Sequence, residues 1–115
     1  MSDVVNRIIL VGFIAQPPEF ESGAGGEKTA ARFWLCTHWN WADSEPSPGA
    51  DALGWHYVVC TKAHALRALE KRCHVGTRIY LEGRARSRMI VENGLTRGVV
   101  TDVTIEPENC ELHIL

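Results

Sequence analysis

Arginines at alternate positions are the side chains in this sequence whose type and spacing most clearly suit a binding chemistry. Arg84, Arg86 and Arg88 stand two residues apart in a segment with β-strand character. Successive strand residues point to opposite faces and rise by about 3.3–3.4 Å, so the three guanidinium groups share one face at a spacing of about 7 Å. Arginine binds phosphates through a planar fork of donors and also stacks on flat rings. The spacing therefore predicts contacts with a nucleic-acid strand, and the alternative is a strand face that is simply solvated.

Four tryptophans form the second group, which is a heavy load for 115 residues. Unpaired bases expose flat faces that stack on aromatic side chains, and each stack is worth about 1–3 kcal/mol. Trp55 and Tyr57 share one face of a short predicted strand, which makes both candidate stacking residues; burial of Trp55 in the core is the alternative. Trp39 and Trp41, beside a loop with two prolines, are further candidates. Trp34 is predicted to serve the same surface or a subunit contact.

The charges are unevenly distributed along the chain. The formal net charge at pH 7 is −2, which by itself gives no sign of a polyanion-binding protein. Residues 62–97, however, contain nine Lys and Arg against three Glu, and this local excess of +6 is flanked by two acidic segments. A surface binds through its local charge rather than through the net charge of the protein. Arg78, Arg97 and Lys62 from this basic segment are the additional predicted phosphate contacts.

Apolar and β-branched runs predict a chain rich in strands. A stripe of apolar residues at helical spacing predicts one helix over 62–73. Asn93-Gly94 is a strong signal for a hairpin turn, and two prolines among polar residues predict a long loop at about 40–54. The predicted strands are 4–15, 29–39, 55–61, 78–90 and 97–105, with a last short strand at 111–115.

The order of these elements indicates a fold class. Three strands, a helix and two further strands follow one another, and a five-stranded Greek-key barrel of the OB type has this order. OB folds bind oligonucleotides or oligosaccharides on one face. The prediction is therefore an all-β fold with one short helix, an OB-fold barrel that forms a single domain over residues 1–115.

Other classes of function find little support in the sequence. The four cysteines show no ligand spacing and are predicted to be reduced, buried thiols; Cys73-His74 has no second pair with which to hold a metal. No spacing marks a nucleophile or a phosphate loop, so neither an enzyme nor a cofactor is predicted. We find no apolar run long enough to span a bilayer and no export signal, so a cytoplasmic, nucleoid-associated location is expected.

Three segments of the chain resemble the bacterial single-stranded DNA-binding proteins, the SSB family. Val5–Gly12 looks like the first strand of that family, Gly54–Val59 is similar to its third-strand motif, and Val75–Arg88 resembles its fourth-strand signature. They occur in order at matching spacing, and the resemblance runs from about residue 4 to the end. It implies an OB fold, commonly in an oligomer of four, that coats single-stranded DNA. Trp41 and Trp55 fall at two of the family's stacking positions.

The chain also departs from the family pattern. Thr61 and Ile90 stand where the family commonly has stacking aromatics, so part of the usual platform is missing. SSB proteins usually end in a long linker and an acidic tip, whereas this sequence stops at Leu115, where the barrel is expected to end. A truncated chain or a tail-less relative would both have this form. Asn93-Gly94-Leu95 carries a fainter resemblance to primosomal replication protein N, a short, dimeric relative.

These observations together predict a protein that binds single-stranded DNA with little sequence preference during replication, repair or recombination. A homo-oligomer, dimer or tetramer, is expected because one small OB fold offers a short groove. Replication proteins are further candidate partners, and neither a membrane nor a small-molecule substrate is predicted. Two alternatives remain: an accessory OB protein that binds DNA and a helicase or loader, and an OB protein–protein adaptor whose tryptophans build a dry interface.

Overall fold

The computed structural model describes residues 4–38 and 54–115. Most of the loop predicted at about 40–54 therefore lies outside the described residues. Within the described part, no helix is long and apolar enough to cross a bilayer. The elements are β1 (Ile8–Ile14), β2 (Glu19–Ser22), β3 (Lys28–Cys36), β4 (Trp55–Cys60), α1 (Ala63–Arg72), β5 (Arg78–Glu92), β6 (Leu95–Ile105) and β7 (Glu111–Ile114).

Five of these strands close into a ring. The sheet order is β1-β3-β4-β6-β5-β7, and β1 pairs with β5 as well as with β3. Closure therefore runs through β1, β3, β4, β6 and β5, while β2 is attached to β3 and β7 to β5. The β4–β6 pairing is parallel, whereas the other pairings are antiparallel. This is the predicted five-stranded barrel, with one short helix between its third and fourth strands.

Strand alternation builds the core. Inward side chains of four strands are buried while their neighbours face outward, as the period of two requires. The helix α1 covers one end of the barrel with its apolar stripe, and its opposite side is exposed. The inward residues are Phe33 and Leu35 of β3, Val58 and Cys60 of β4, Ile79 and Leu81 of β5, Val103 and Ile105 of β6, and Ala65, Leu66 and Leu69 of α1.

Local differences from the predicted elements have simple causes. The strand β2 escapes prediction because it is four residues long, follows Pro17-Pro18 and contains one apolar side chain, Phe20. The strand β1 begins at Ile8 rather than at residue 4, because the side chain of Asn6 replaces the backbone in pairing. Its Nδ2 donates to the carbonyl of Ala85 at 2.9 Å, and its Oδ1 accepts from the Ala85 amide at 2.8 Å.

The predicted hairpin turn is confirmed. Asn93 and Gly94 have φ angles of 52° and 76°, which is the left-handed conformation that a two-residue hairpin loop needs. The β5–β6 ladder is shifted between Ile90 and Val91, so one extra residue is accommodated near the turn. Because of that shift, Arg86 lies opposite Asp102 rather than opposite Thr101.

The close packing of β5 depends on a glycine. Gly83 pairs with Ile8 of β1, and the next residue, Arg84, pairs with Thr104 of β6. A Cβ atom on Gly83 would lie 2.5 Å from the carbonyl oxygen of Thr104 and 3.2 Å from Cγ1 of Val103. Since backbone cannot move aside as a flexible side chain can, this position tolerates no side chain.

We therefore expect Gly83→Ala to destabilise the fold by about 1–3 kcal/mol, the usual cost of forcing an extra carbon into a packed site. Urea unfolding followed by circular dichroism measures the change. Gly98→Ala is the matched control, since a Cβ there meets no atom within 4 Å. Equal unfolding free energies for the two variants would contradict the assignment of Gly83 as a close-packed position.

Candidate nucleic-acid interface

The outward side chains of four adjacent strands form one continuous surface. Cα partners in a ladder point to the same face, and Arg32 of β3 pairs with Val59 of β4, Val59 with Thr104 of β6, and Thr104 with Arg84 of β5. The neighbouring rows on this surface bring Trp34 and the β4 aromatics to the same side as the later arginines of β5. We call this surface, the outer side of β3, β4, β6 and β5, the outer face.

Three aromatic side chains cluster on the outer face. The ring centroids of Trp34 and Tyr57 are 5.0 Å apart at an interplanar angle of 56°, and those of Trp34 and Trp55 are 6.5 Å apart at 68°. All three residues are half-buried. The alternative of a Trp55 sealed in the core is therefore excluded, and Trp34 lies beside the other two rings. Because the rings are tilted against one another and partly exposed, each can present an accessible face to a ligand.

These rings line a groove together with one of the predicted arginines. The groove has a volume of about 470 Å³, and its walls include Arg88 and Asp102 as well as the three aromatic residues. A second, smaller recess of about 170 Å³ adjoins Trp34 and Tyr57 and is lined by Arg32. Arg32 was not among the residues predicted from the sequence, although its position two residues before Trp34 on one strand face was a usable signal.

The three predicted arginines of β5 all lie on the outer face, but each is already bound to a carboxylate. Arg84 Nη1 is 3.2 Å from Glu106 Oε1, and Arg86 donates from Nη2 to Oε1 at 2.8 Å and from Nε to Oε2 at 3.0 Å. Arg88 Nε donates to Asp102 Oδ2 at 2.8 Å. The sequence predicted the common face of the arginines but not these partners. Three cations and two carboxylates therefore share this part of the outer face.

Glu106 is the centre of that network. The hydrogen bond from Arg86, together with one from Thr104 Oγ1 at 2.7 Å, lowers the pKa of Glu106 to about 2 from its ordinary value of 4.5. The carboxylate consequently stays ionised at neutral pH. Both of its oxygens accept hydrogen bonds, so it holds the side chains of Arg84 and Arg86 in place.

The other predicted cations lie away from the groove. Arg78 begins β5, where the strand pairs with β1 and β7 rather than with β6. Lys62 Nζ donates to the carbonyl of Pro107 at 2.8 Å and lines a different groove. Arg97 lies near the hairpin turn, with Nε 3.8 Å from Glu92 Oε2. Trp39 and Trp41 are outside the described residues.

The buried and half-buried histidine and cysteine side chains do not line the groove. His56 Nε2 lies 3.1 Å from Thr37 Oγ1, and partial burial lowers the pKa of this histidine. Burial raises the pKa of the Cys60 thiol to about 11, so the thiol stays protonated at neutral pH. Cys36, Cys60 and Cys110 are buried and unpaired as predicted, whereas Cys73 is half-buried because α1 ends one residue before it.

Comparison with known proteins agrees with this architecture. The sequence model of the single-strand binding protein family matches residues 5–112. The chain belongs to the single-strand binding protein family. The single-stranded DNA-binding proteins of Rickettsia felis and Rickettsia prowazekii are each 26% identical to this family member over 115 residues, a match that covers the whole chain and 75% of each relative.

Solved structures share the fold of this single-strand binding protein family member. A Plasmodium falciparum SSB in complex with single-stranded DNA superposes with a TM-score of 0.74 at 22% identity, covering 100% of this chain and 98% of that one. Rim1, a mitochondrial single-stranded DNA-binding protein of Saccharomyces cerevisiae, gives 0.61 at 12% identity, with coverages of 96% and 93%. The predicted family and the predicted OB fold are confirmed.

The lowered pKa of Glu106 predicts a specific acid sensitivity. Its ion pairs contribute stability above the carboxyl's ordinary pKa of 4.5, and that contribution is lost as the pH falls from 4.5 towards about 2. We expect Glu106→Gln to remove this part of the pH dependence, measured as the unfolding free energy between pH 6 and pH 2. Glu108→Gln, at an exposed carboxylate two residues along, is the control. Identical pH profiles for wild type and Glu106→Gln would contradict the pairing.

Proposed function

We propose that this chain binds single-stranded DNA as one OB-fold domain with little sequence preference, through the groove on its outer face. The observation that carries the proposal is the common groove of Trp34, Trp55, Tyr57 and Arg88. Bases stack on the three rings while the guanidinium of Arg88 contacts a phosphate. Since every base has a flat face, stacking tolerates any sequence. The resemblance to proteins named for single-stranded DNA binding supports the same ligand.

The ion pairs determine how the arginines take part. A guanidinium has five N–H donors, and Arg84 and Arg88 each use one of them on a carboxylate. The remaining donors are available to phosphate oxygens, so DNA adds to these networks without first breaking them. The carboxylates lower the net charge of the outer face, so stacking supplies a large share of affinity. Affinity still falls with rising salt, because bound phosphates release counterions.

The protein acts by binding alone in this proposal, with no catalytic step. It holds single strands apart in the cytoplasm and presents them during replication, repair or recombination. Association into a homo-oligomer is supported by β1, whose outward Ile9 and Val11 are 54% and 41% exposed. Among the described strands, β3 pairs only with the last two residues of β1, so the edge over Ile8–Gly12 has hydrogen-bonding groups for a second copy.

Removal of one ring tests the stacking role. Trp55→Ala is expected to weaken binding to oligo(dT) by about 1–3 kcal/mol, the value of one base stack. The titration is followed by quenching of the remaining tryptophan fluorescence at two salt concentrations. Trp55→Phe, which keeps a flat ring, is the control and should retain most of the affinity. If wild type shows no quenching at low salt, the adaptor function replaces the proposed one.

Removal of a competing charge tests the electrostatic role. Glu106→Gln should bind oligo(dT) about threefold more tightly at low salt. This factor corresponds to the Coulomb repulsion between the Glu106 carboxylate and a phosphate about 6 Å away in water. The gain should fade as salt screens the charges. Binding constants at a series of salt concentrations measure it, with Glu108→Gln as the control. Weaker binding by Glu106→Gln would show that the carboxylate assists DNA by positioning the arginines.

A further inference from the structure

The exposed side of α1 carries cations that have no carboxylate partner among the described residues, unlike six arginines elsewhere in the chain. Arg67, Lys71 and Arg72 have no carboxylate within ion-pair distance in the described part of the chain, and all three are exposed. By contrast, six other arginines each lie within 4 Å of a carboxylate: Arg7, Arg32, Arg84, Arg86, Arg88 and Arg97. Three of the six Lys and Arg side chains without such a partner in the described residues therefore lie on the helix, and the other three are Lys28, Lys62 and Arg78.

The three cations make up most of the lining of a shallow groove. Its volume is about 320 Å³, and its other lining residues are His64 and Ala68. Among the described residues, no carboxylate and no Phe, Tyr or Trp ring lines it. Arg67 and Lys71 are four residues apart, so they stand about 6 Å from each other along one side of the helix. A row of exposed cations suits a backbone of regularly spaced anions.

The start of β3 connects this groove with the strand that carries Trp34. Lys28, at the start of β3, lines a groove of about 440 Å³ together with Arg67 and Lys71. The register shift between Glu21 and Ser22 turns the side chain of Lys28 to the face opposite to that of Arg32 and Trp34, which lie further along the same strand. The distance from Lys28 to Trp34 along the strand is about 20 Å, which a few nucleotides can span. Glu27 and Glu70 also border the connecting groove, so the path is less positive there than on the helix.

We propose that the exposed side of α1, formed by Arg67, Lys71 and Arg72, is a second binding surface for single-stranded DNA. It takes the sugar–phosphate backbone of the strand that leaves the aromatic groove along β3. The inference rests on the proposed function and extends it. A short strand occupies the aromatic groove alone, whereas a longer strand continues onto the helix. Because no Phe, Tyr or Trp ring of the described residues lines this groove, the helix binds the strand mainly through its phosphates.

The test compares two strand lengths on one variant. In Arg67→Gln/Lys71→Gln/Arg72→Gln the charge of the groove is removed while helix propensity is nearly kept. The charge-conserving Arg67→Lys/Lys71→Arg/Arg72→Lys protein is the control, and circular dichroism checks the fold of both. Dissociation constants are measured over a series of salt concentrations for oligo(dT) of ~8 nucleotides, within the range of site sizes for one OB fold, and of ~35 nucleotides, well above it.

The result expected is a loss confined to the long strand. Three lost phosphate contacts should lower the slope of log K against log salt by about 2 for the long strand, at about 0.7 per phosphate, and leave the short strand unchanged. If the slope of log K against log salt for the long strand is the same in wild type and in the glutamine variant, the inference is overturned. This holds even if poly-glutamate binds wild type and not the glutamine variant. A short strand that fails to bind wild type overturns the proposed function itself.

Discussion

The outer face exists because one strand serves two neighbours. The first part of β5 pairs with β1 and β7, and its second part pairs with β6. The exchange takes place at Gly83, where the carbonyl of Thr104 occupies the space of a side chain. Closure of the barrel at this point places β6 between β4 and β5. The aromatic residues of β3 and β4 and the arginines of β5 then lie on one surface.

Electrostatics on that surface is a balance between neighbours rather than a simple positive patch. Asp102 projects from β6, the strand that separates the arginines from the rings, and Glu106 follows directly after its last residue. Both carboxylates hold the guanidinium groups in place. The charge excess predicted from the sequence is therefore partly neutralised where the strands meet. Arg67, Lys71 and Arg72, which have no such partner among the described residues, lie on α1. The groove with the aromatic rings and the groove with these cations share no lining residue in the described part of the chain.

The sequence was sufficient for most of the elements and for the faces of the strands that carry the groove, although β2 was missed. Alternation placed Trp55 and Tyr57 outward and Val58 and Cys60 inward, and the structure agrees because a closed barrel leaves a strand no other way to bury one side. Asn93-Gly94 marked the hairpin, since few other residue pairs adopt a positive φ at two successive positions. These features are local, and local spacing is what a single sequence displays.

The ion pairs could not be predicted in the same way. A two-residue turn at Asn93-Gly94 alone would place Arg86 opposite Thr101, and the shift at Ile90 and Val91 moves it to Asp102. A change of register by one residue exchanges every partner across a ladder. The pairing of Glu106 with Arg84 and Arg86 depends on that shift and on barrel closure, and neither is visible in a pattern of charges.

A crystal structure of the protein with oligo(dT) shows whether the strand occupies the aromatic groove. We expect thymine rings stacked on Trp34 and Trp55 and a phosphate bound by Arg88, with Glu106 still paired to Arg86. A strand that leaves all three aromatic rings uncovered, or that crosses the opposite side of the barrel, would contradict this expectation.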